Sequence, residues 1–275
     1  TLGVMGGGQL GRMFVHAAQR LGYFTAVLDP DADSPAGRVS HHHIQTGYSD
    51  ATGLAQLASL CAAVTTEFEN VPADALQALA ATRPVAPNAA CVAVAQNRTQ
   101  EKAHFTACAG ISGVTCAPYA VIETSAQLHA VPADLLPGIL KTTRMGYDGK
   151  GQVRIATRDE ADAAWRQLGG EPAILEGVVA FEREFSILVA RAFDGASVVW
   201  AASENVHVDA ILASSIVPAD VSIAAQADTA RTAAIRVADA LDYVGVLTLE
   251  FFAGPEGPVF NEMAPRVHNS GHWTI

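Results

Sequence analysis

Short apolar runs alternate with segments of helical periodicity over residues 1–87, and no other feature constrains the fold as strongly. The apolar runs are TLGVM, TAVLD and AAVTTEF, and each precedes an amphipathic segment such as GQLGRMFVHAAQRLG. Strands separated by helices favour a parallel sheet with right-handed βαβ connections. The pattern therefore predicts a βαβ domain at the start of the chain.

Three glycines, Gly6, Gly8 and Gly11, lie between the first predicted strand and the first predicted helix in the spacing G-x-G-x-x-G. Glycine permits a tight turn there, and the N–H groups that begin the helix can bind an anion. Asp29 ends the second predicted strand, about where an NAD-dependent oxidoreductase would carry its ribose-binding acid. These residues alone fit a dinucleotide site and a purely structural turn equally well.

The chain has 275 residues, a length at which single hydrophobic cores usually stop growing, so we expect more than one domain. A linker, RPVAPNAACVA, follows the βαβ pattern, and strands and helices in mixed order follow the linker. We predict a βαβ domain over residues 1–95, a central α+β lobe over 96–177 and a second α+β lobe over 178–275. Ligands would be held between these units.

The composition argues against two classes of partner. Asp and Glu number 28 against 17 Lys and Arg, and no basic run could follow a nucleic-acid backbone. Charged residues such as Arg191 and Asp194 interrupt the longest apolar stretches, well short of the ~20 residues that cross a membrane. The first residues show no export signal, and the four cysteines have no C-x-x-C spacing. These observations predict a cytoplasmic protein with reduced thiols.

A second glycine-rich segment, MGYDGKGQ, follows Lys141 and joins two predicted strands. Backbone N–H groups and neighbouring cations suit a lid that closes over a polyphosphate, although the Walker spacing G-x-x-x-x-G-K-[ST] is absent. An ordinary glycine-rich hairpin is the alternative. Because Lys141 would end an otherwise apolar strand, the sequence favours the lid.

Two glutamates near the end of the chain are candidates for a metal site. In the predicted strand VGVLTLEFF, Glu250 shares a face with Val246 and Thr248. Glu262 lies at a comparable distance beyond the turn AGPEGP, so an antiparallel hairpin would bring both carboxylates together. Two carboxylates that face a cleft favour a cation such as Mg²⁺ between them. A solvated strand face explains the spacing equally well.

Polar residues are concentrated in two further segments. The run NEMAPRVHNSGHWT has little periodicity and is typical of a site loop, although surface loops are polar in general. The run TTEFEN follows the third predicted strand and places Glu67 and Glu69 where open parallel sheets bind ligands. The three histidines at 41–43 would point to alternating faces of an extended segment, so we interpret them as surface residues rather than as a metal site.

Five motifs together resemble those of one family. The motifs are GGGQLGRM, TTEFEN, GYDGKGQ, NVHVDAIL and NEMAPRVHNSGHWT. In them the chain is similar to the 5-(carboxyamino)imidazole ribonucleotide synthetases of the ATP-grasp superfamily. The resemblance implies an ATP-grasp fold with a Rossmann-like N-terminal domain, a small central lobe and a C-terminal lobe, with ATP gripped between the last two.

The resemblance also implies an activity. The enzyme would be a ligase of purine biosynthesis that forms a C–N bond. It would use ATP, Mg²⁺ or Mn²⁺, and bicarbonate to carboxylate 5-aminoimidazole ribonucleotide by way of carboxyphosphate. A cytoplasmic homodimer is implied as well.

The site residues follow from the same resemblance, position by position. The implied ATP site consists of Arg98, Lys141, Gly146, Tyr147, Asp148, Gly149, Lys150, Gly151, Gln152, Glu176, Gly177, Val178, Val179, Glu184, His207, Asn261 and Glu262. The implied aminoimidazole ribonucleotide site consists of Gln9, Leu10, Glu67, Tyr147, Asp148, Lys150, Arg266, His268, Asn269 and Ser270. The implied catalytic residues are Lys141, Arg266 and His268, and the implied metal ligands are Glu250 and Glu262.

Members of this family continue well past HNSGHWT, so the resemblance implies an incomplete C-terminal lobe. An NAD-dependent oxidoreductase is the alternative from another class, but it leaves the lid, Glu250 and Glu262 unexplained. Two nearer alternatives are a formate-dependent glycinamide ribonucleotide transformylase and a non-catalytic nucleotide-binding remnant.

Overall fold

The computed structural model describes residues 1–109, 113–146, 151–209 and 211–274, and its first sheet is the predicted parallel one. The strands of this sheet are β1 (Leu2–Met5), β2 (Thr25–Leu28), β3 (His42–Ile44) and β4 (Ala63–Thr66). Their spatial order is β3–β2–β1–β4, and all neighbours are parallel. The helices of this domain are α1 (Gln9–Arg20), α2 (Ala51–Leu60) and α3 (Ala73–Ala80). The predicted βαβ domain is therefore confirmed.

The histidine segment forms the edge of this sheet. His42 and His43 belong to β3, which pairs with β2 alone, and the side chains of His41 and His42 are exposed. Within the described ranges, no three His, Cys, Asp or Glu side chains are grouped so that they could hold a metal ion. No helix among those residues is long and apolar enough to cross a membrane.

A short helix, α4 (Ala89–Ala95), lies where the sequence predicted a linker. Asn88 caps the start of this helix, and its side-chain oxygen accepts the N–H of Cys91 at 2.9 Å. Cys91 is buried in the C-terminal core, whereas Val92 is buried in the N-terminal core. The linker prediction was wrong because the prolines precede the helix, where they are tolerated, and the small residues let it pack between two cores.

Two elements of the predicted central lobe pack instead on the C-terminal sheet. These elements are α5 (Arg98–Ala109) and β5 (Thr115–Cys116). β5 pairs in parallel with Val259 and Phe260. The ring of Phe105 on α5 stacks on Phe260 with 3.8 Å between ring centroids, and both side chains are buried. This apolar contact assigns α5 to the C-terminal unit. The predicted boundary at residue 96 had placed it in the central lobe.

Truncation of this contact should destabilise the protein. We expect Phe105→Ala to lower the free energy of unfolding by about 3–5 kcal/mol, because it leaves a cavity beside Phe251 and Phe260. Phe193→Ala is the matched control, since that ring is 76% exposed. Urea unfolding of both variants measures the difference, and equal losses would contradict the packing described above.

The central sheet is antiparallel and small. Its strands are β6 (Tyr119–Ile122), β7 (Gly138–Thr142), β8 (Gln152–Ile155) and β9 (Ala173–Gly177), and its helices are α6 (Ser125–His129) and α7 (Ala161–Gln167). The spatial order is β6–β9–β7–β8. Leu128 of α6 and Ala164 of α7 pack with Leu140 and Leu175 in a core that belongs to this lobe alone.

The C-terminal sheet is the largest, with seven strands. Besides β5 it contains β10 (Arg183–Arg191), β11 (Ser197–Val199), β12 (Ser203–Val208), β13 (Ile211–Ile216), β14 (Gly245–Gly254) and β15 (Gly257–Ala264). The order is β13–β12–β10–β14–β15–β5, with β11 also on β10, and α8 (Val221–Ala240) packs against the sheet. The segment ASVVWAASEN contributes to two strands, β11 and β12, and both pair with β10.

Candidate active site

The hairpin of β14 and β15 brings two carboxylates together. Its register places Glu250 opposite Glu262, the arrangement that the spacing predicts. Glu250 is buried, and its Oε1 lies 3.3 Å from Nε2 of His268. Oε2 of Glu262 lies 3.0 Å from Nη1 of Arg98, which reaches it from α5. Each carboxylate therefore has one basic neighbour.

The two carboxyls differ in their electrostatic environment. Burial and the nearby charge of Glu262 raise the pKa of Glu250 to about 8. Loss of hydration opposes ionisation of Glu262, but Arg98 and Lys141 outweigh it and lower the pKa of this carboxyl. Glu250 is thus short of positive charge. Two opposed carboxyls that lack positive charge suit a divalent cation. Such a cation needs few protein carboxylates when it also binds phosphate.

A buried cluster of charges joins the central and C-terminal lobes. Lys141 on β7 places its Nζ 2.7 Å from Oε2 of Glu176 on β9. Lys102 on α5 forms an ion pair with the other oxygen, Oε1, at 3.0 Å. Burial tends to raise the pKa of Glu176, but Lys141 and Lys102 outweigh it and lower that pKa. Two cations and one carboxylate leave a net positive charge, which favours an anionic ligand.

A histidine and a glutamate meet on the neighbouring strands β10 and β12. Nδ1 of His207 lies 2.8 Å from Oε2 of Glu184. Its hydrogen bond to Glu184 outweighs burial and raises the pKa of His207. Beside them, Asn205 donates to the hydroxyl of Ser186 at 2.6 Å. Both residues belong to the ATP site that the resemblance implies, and the structure brings them into contact.

The loop after β15 reaches the N-terminal domain. Nε of Arg266 donates to Oε2 of Glu69 at 2.6 Å, and Glu69 follows β4. Nδ1 of His268 lies 2.9 Å from the hydroxyl of Ser270, in the 3-10 helix Asn269–Thr274. Burial and the charge of Arg266 lower the pKa of His268 to about 4. The imidazole is therefore neutral near pH 7.

The glycine turn at the start of α1 already holds a carboxylate. Glu67 accepts the N–H groups of Gly8 at 2.5 Å and of Gly11 at 2.6 Å. A Cβ atom on Gly6 would lie 2.4 Å from Cγ of Glu67, and Gly6 also has a φ of 103°. Close approach of this side chain therefore requires glycine in the turn. The N–H groups that would bind a dinucleotide pyrophosphate are used by Glu67.

Asp29 has a structural role in the same domain. Its Oδ2 accepts the N–H of Gly7 at 2.7 Å and the hydroxyl of Tyr48 at 2.6 Å. Its Oδ1 accepts the N–H of Asp31 at 2.9 Å. Both oxygens are thus engaged and the residue is buried, so Asp29 does not present a carboxylate to a ribose. Neither the glycine turn nor Asp29 therefore supports the alternative of an NAD-dependent oxidoreductase.

The described residues of the lid contact Arg98 at its start and strand β7 at its end. The carbonyl of Gly146 accepts a hydrogen bond from Nη2 of Arg98 at 3.1 Å, and Gln152 pairs with Lys141 across β7 and β8. The carbonyl of Gly151 accepts the N–H of Thr142 at 2.9 Å. Four predicted site residues lie outside the described residues, namely Tyr147, Asp148, Gly149 and Lys150.

The remaining predicted residues lie at or next to the ends of elements, except for Asn261. Gly177 ends β9 and donates its N–H to the carbonyl of Pro118 at 2.8 Å, and Val178 and Val179 follow it. Gln9 and Leu10 open α1 next to the glycine turn, and the side chain of Gln9 is exposed. Asn261, on β15, precedes Glu262 and takes part in a local irregularity of the ladder.

Sequence reasoning missed Glu101, Lys102 and the pairing of Glu69. Glu101 and Lys102 are buried on α5, and Lys102 is four residues after Arg98. Residues four apart lie on the same face of a helix, so this spacing is the signal that could have extended the site from Arg98 to Lys102. No comparable local signal links Glu69 to Arg266, because 197 residues separate them.

Lys141 should contribute strongly to binding of a nucleotide phosphate. We expect Lys141→Ala to raise the KM for ATP about 10- to 100-fold, the effect of losing one charge-assisted hydrogen bond. Arg154→Ala, which removes an exposed cation on the neighbouring strand β8, is the matched control. Initial rates at varied ATP concentration measure both, and an unchanged KM in Lys141→Ala would contradict the assignment.

Family models cover most of the chain. Residues 1–96 match the model described as the ribonucleotide synthetase preATP-grasp domain. Residues 108–275 match the model of the ATP-grasp domain. The chain is 48% identical over 278 residues to the N5-carboxyaminoimidazole ribonucleotide synthase of Brucella melitensis, and the match covers 100% of this chain and 75% of that relative.

Solved structures of similar proteins have the same fold. The N5-carboxyaminoimidazole ribonucleotide synthetase of Thermus thermophilus superposes with a TM-score of 0.89 at 41% identity, covering 100% of this chain and 73% of that one. The N5-carboxyaminoimidazole synthase of Aspergillus clavatus, in complex with ADP and 5-aminoimidazole ribonucleotide, superposes with a TM-score of 0.85 at 30% identity. That match covers 100% of this chain and 72% of the other.

Proposed function

Because the chain belongs to the N5-carboxyaminoimidazole ribonucleotide synthase family of ATP-grasp ligases, we propose that it carboxylates 5-aminoimidazole ribonucleotide with the cleavage of ATP. The carboxyl group comes from bicarbonate, and the reaction belongs to purine biosynthesis. The observation that carries this proposal is the opposed pair Glu250 and Glu262 beside Arg98. Such a group of charges suits a nucleotide polyphosphate with a divalent cation, whereas a hydride-transfer reaction does not require it.

The reaction joins two steps. An oxygen of bicarbonate attacks the γ-phosphorus of ATP, the bond from that phosphorus to the β,γ-bridging oxygen breaks, and ADP leaves. In the carboxyphosphate so formed, the exocyclic amine takes the carboxyl group. The new C–N bond forms, the C–O bond to phosphate breaks, and the nitrogen loses a proton. Because carboxyphosphate hydrolyses readily, the site must exclude water during its lifetime.

Glu250 and Glu262 would hold a divalent cation, Mg²⁺ or Mn²⁺. Their oxygens are the donors that these ions prefer, and burial and the charge of Glu262 raise the pKa of Glu250, as expected of a carboxyl that lacks a sufficient counter-charge. The bound ion would neutralise charge on the phosphate oxygens. His268 contacts Glu250 and Arg98 contacts Glu262, and these contacts would keep the two carboxyls oriented.

We assign the other charged residues either to ATP or to the ribonucleotide. We assign the phosphates of ATP to Lys141 and Arg98, whose cations remain close to Glu262, and the ribose hydroxyls of ATP to Glu184. We assign the ribonucleotide to the cleft between the glycine turn and the loop with Arg266 and His268. The ion pair of Arg266 with Glu69 supports this placement, because it joins these two surfaces. A cytoplasmic homodimer is proposed on the resemblance alone.

A coupled assay of ADP release tests the proposed function. The complete gene product, incubated with ATP, Mg²⁺ and bicarbonate, should release ADP at a rate that rises steeply when 5-aminoimidazole ribonucleotide is added. Omission of the ribonucleotide is the control. In parallel, ATP with Mg²⁺ should raise the melting temperature and NADH should not. Stabilisation by NADH without ribonucleotide-dependent ADP release would favour the oxidoreductase instead.

A further inference from the structure

The ladder between β14 and β15 contains one irregularity next to the carboxylate pair. Glu250 pairs with Glu262 and Phe251 pairs with Phe260, so Asn261 has no partner in the register. One extra residue in one strand is a β-bulge, which redirects the side chains around it. Phe260 and Met263 are both buried in the core although they are three residues apart, which regular alternation does not allow. The bulge therefore leaves Asn261 and Glu262 together off the core side.

Helix α5 binds the backbone of this bulge on both sides of Glu262. Oε1 of Glu101 accepts the N–H of Met263 at 2.6 Å. Nζ of Lys102 donates to the carbonyl of Asn261 at 3.2 Å. The two charged side chains are adjacent in sequence, and only 3% of Glu101 and 1% of Lys102 is exposed. Backbone groups before and after Glu262 are therefore held by one turn of a helix.

Burial of an acidic and a basic side chain is costly, and packing alone does not explain it. A polar or ionised side chain loses its hydration in the interior, and apolar residues of similar size would fill the same space at a smaller cost. What apolar residues cannot do is bind an N–H group and a carbonyl at fixed positions. A carboxyl oxygen of Glu101 and the ammonium group of Lys102 each perform one of these tasks at the bulge.

Lys102 also extends this support to the other half of the site. Besides the carbonyl of Asn261, its Nζ contacts Oε1 of Glu176, whose second oxygen binds Lys141. One ammonium group thus touches the segment that carries Glu262 and the carboxylate that orients Lys141. The contacts connect β15 of the C-terminal sheet with β9 and β7 of the central sheet.

We propose that Glu101 and Lys102 are positioning residues, which hold the bulge at Asn261 so that Glu262 faces Glu250 in the geometry that binds the divalent cation. The proposal rests on the proposed function, because it concerns the site for the cation that accompanies the nucleotide. Neither residue needs to touch ATP or the ribonucleotide. Both act through the backbone that carries Glu262.

Calorimetric titration of ADP, in excess Mg²⁺ and in EDTA, separates this role from general stability. For each variant we compare the ratio of the two ADP dissociation constants, since an effect on Lys141 alone changes both constants and cancels in the ratio. This ratio, the ADP dissociation constant in EDTA divided by that in Mg²⁺, should fall about 10-fold or more in Glu101→Leu and in Lys102→Met. A fall of this size is the usual effect of disturbing the residues that support a metal ligand. The ratio should be retained in Glu101→Gln, whose amide oxygen still accepts the Met263 N–H.

Gln100→Leu is the matched control, because that side chain is exposed on the same helix. A wild-type ratio in both Glu101→Leu and Lys102→Met would overturn the proposal. Failure of both variants to fold would assign the pair to stability and would also reject the positioning role. If the unmodified protein binds ADP without any benefit from Mg²⁺, the proposed function fails instead, so the two failures are distinguishable.

Discussion

Glu262→Gln is expected to abolish ATP turnover, with kcat lowered by at least about 10³-fold. The substitution removes one of two opposed carboxylates while keeping nearly the same shape, so it deprives the cation of a ligand and leaves Arg98 without its ionic partner. A cation at a transferring phosphoryl group is worth several kcal/mol of charge stabilisation, which corresponds to this loss of rate. ADP release in the presence of bicarbonate and ribonucleotide measures it.

The same substitution in the turn of this hairpin provides the control. Glu256→Gln also removes one negative charge, but Glu256 is exposed between β14 and β15. We expect wild-type kcat from this variant, and we expect both variants to remain folded. Near-normal turnover by Glu262→Gln at ordinary Mg²⁺ concentrations would refute the metal assignment.

Gly8→Val should remove the use of 5-aminoimidazole ribonucleotide while sparing ATP. A Cβ atom at this position would lie 2.5 Å from Oε1 of Glu67, which is closer than such atoms approach. The carboxylate would have to leave the two N–H groups that now hold it, at Gly8 and Gly11. We expect ribonucleotide-dependent ADP release to fall about 100-fold or more, because a displaced catalytic-site group commonly has an effect of this size.

Gly47→Val is the corresponding control, since no atom lies within 4 Å of a Cβ built on Gly47. The binding of ADP with Mg²⁺ should be the same in Gly8→Val, Gly47→Val and the unmodified protein. This result would separate the ribonucleotide site from the ATP site. Unaltered ribonucleotide use by Gly8→Val would show that the glycine turn has no part in it.

The features that the sequence predicted most accurately are those that depend on local periodicity, namely the β14–β15 hairpin and the parallel sheet. In the strand containing Glu250, Leu247, Leu249 and Phe251 alternate with Thr248 and Glu250, and a short turn follows. The meeting of Glu250 with Glu262 could therefore be anticipated. The parallel N-terminal sheet follows from the same kind of pattern. Alternation alone, however, does not show where an extra residue enters a strand, so the bulge at Asn261 was not foreseen.

Long-range packing explains what the sequence did not show. α5 was assigned to the central lobe, because nothing local reveals that Phe105 stacks on Phe260. The glycine turn fits a phosphate site in isolation, and only the return of Glu67 to it from β4 changes that interpretation. Each missed contact joins residues far apart in the chain, where propensity and spacing carry no information.

Helix α4 has a consequence for how the protein unfolds. One of its faces belongs to the N-terminal core through Ala89 and Val92, and another belongs to the C-terminal core through Cys91. The central sheet has a separate core of its own. The number of domains along the sequence therefore differs from the number of cooperative units. The N-terminal and C-terminal units share α4, so neither can unfold this helix without disturbing the core of the other. Native-state hydrogen exchange should show the two units opening together, and the central lobe opening at a different free energy.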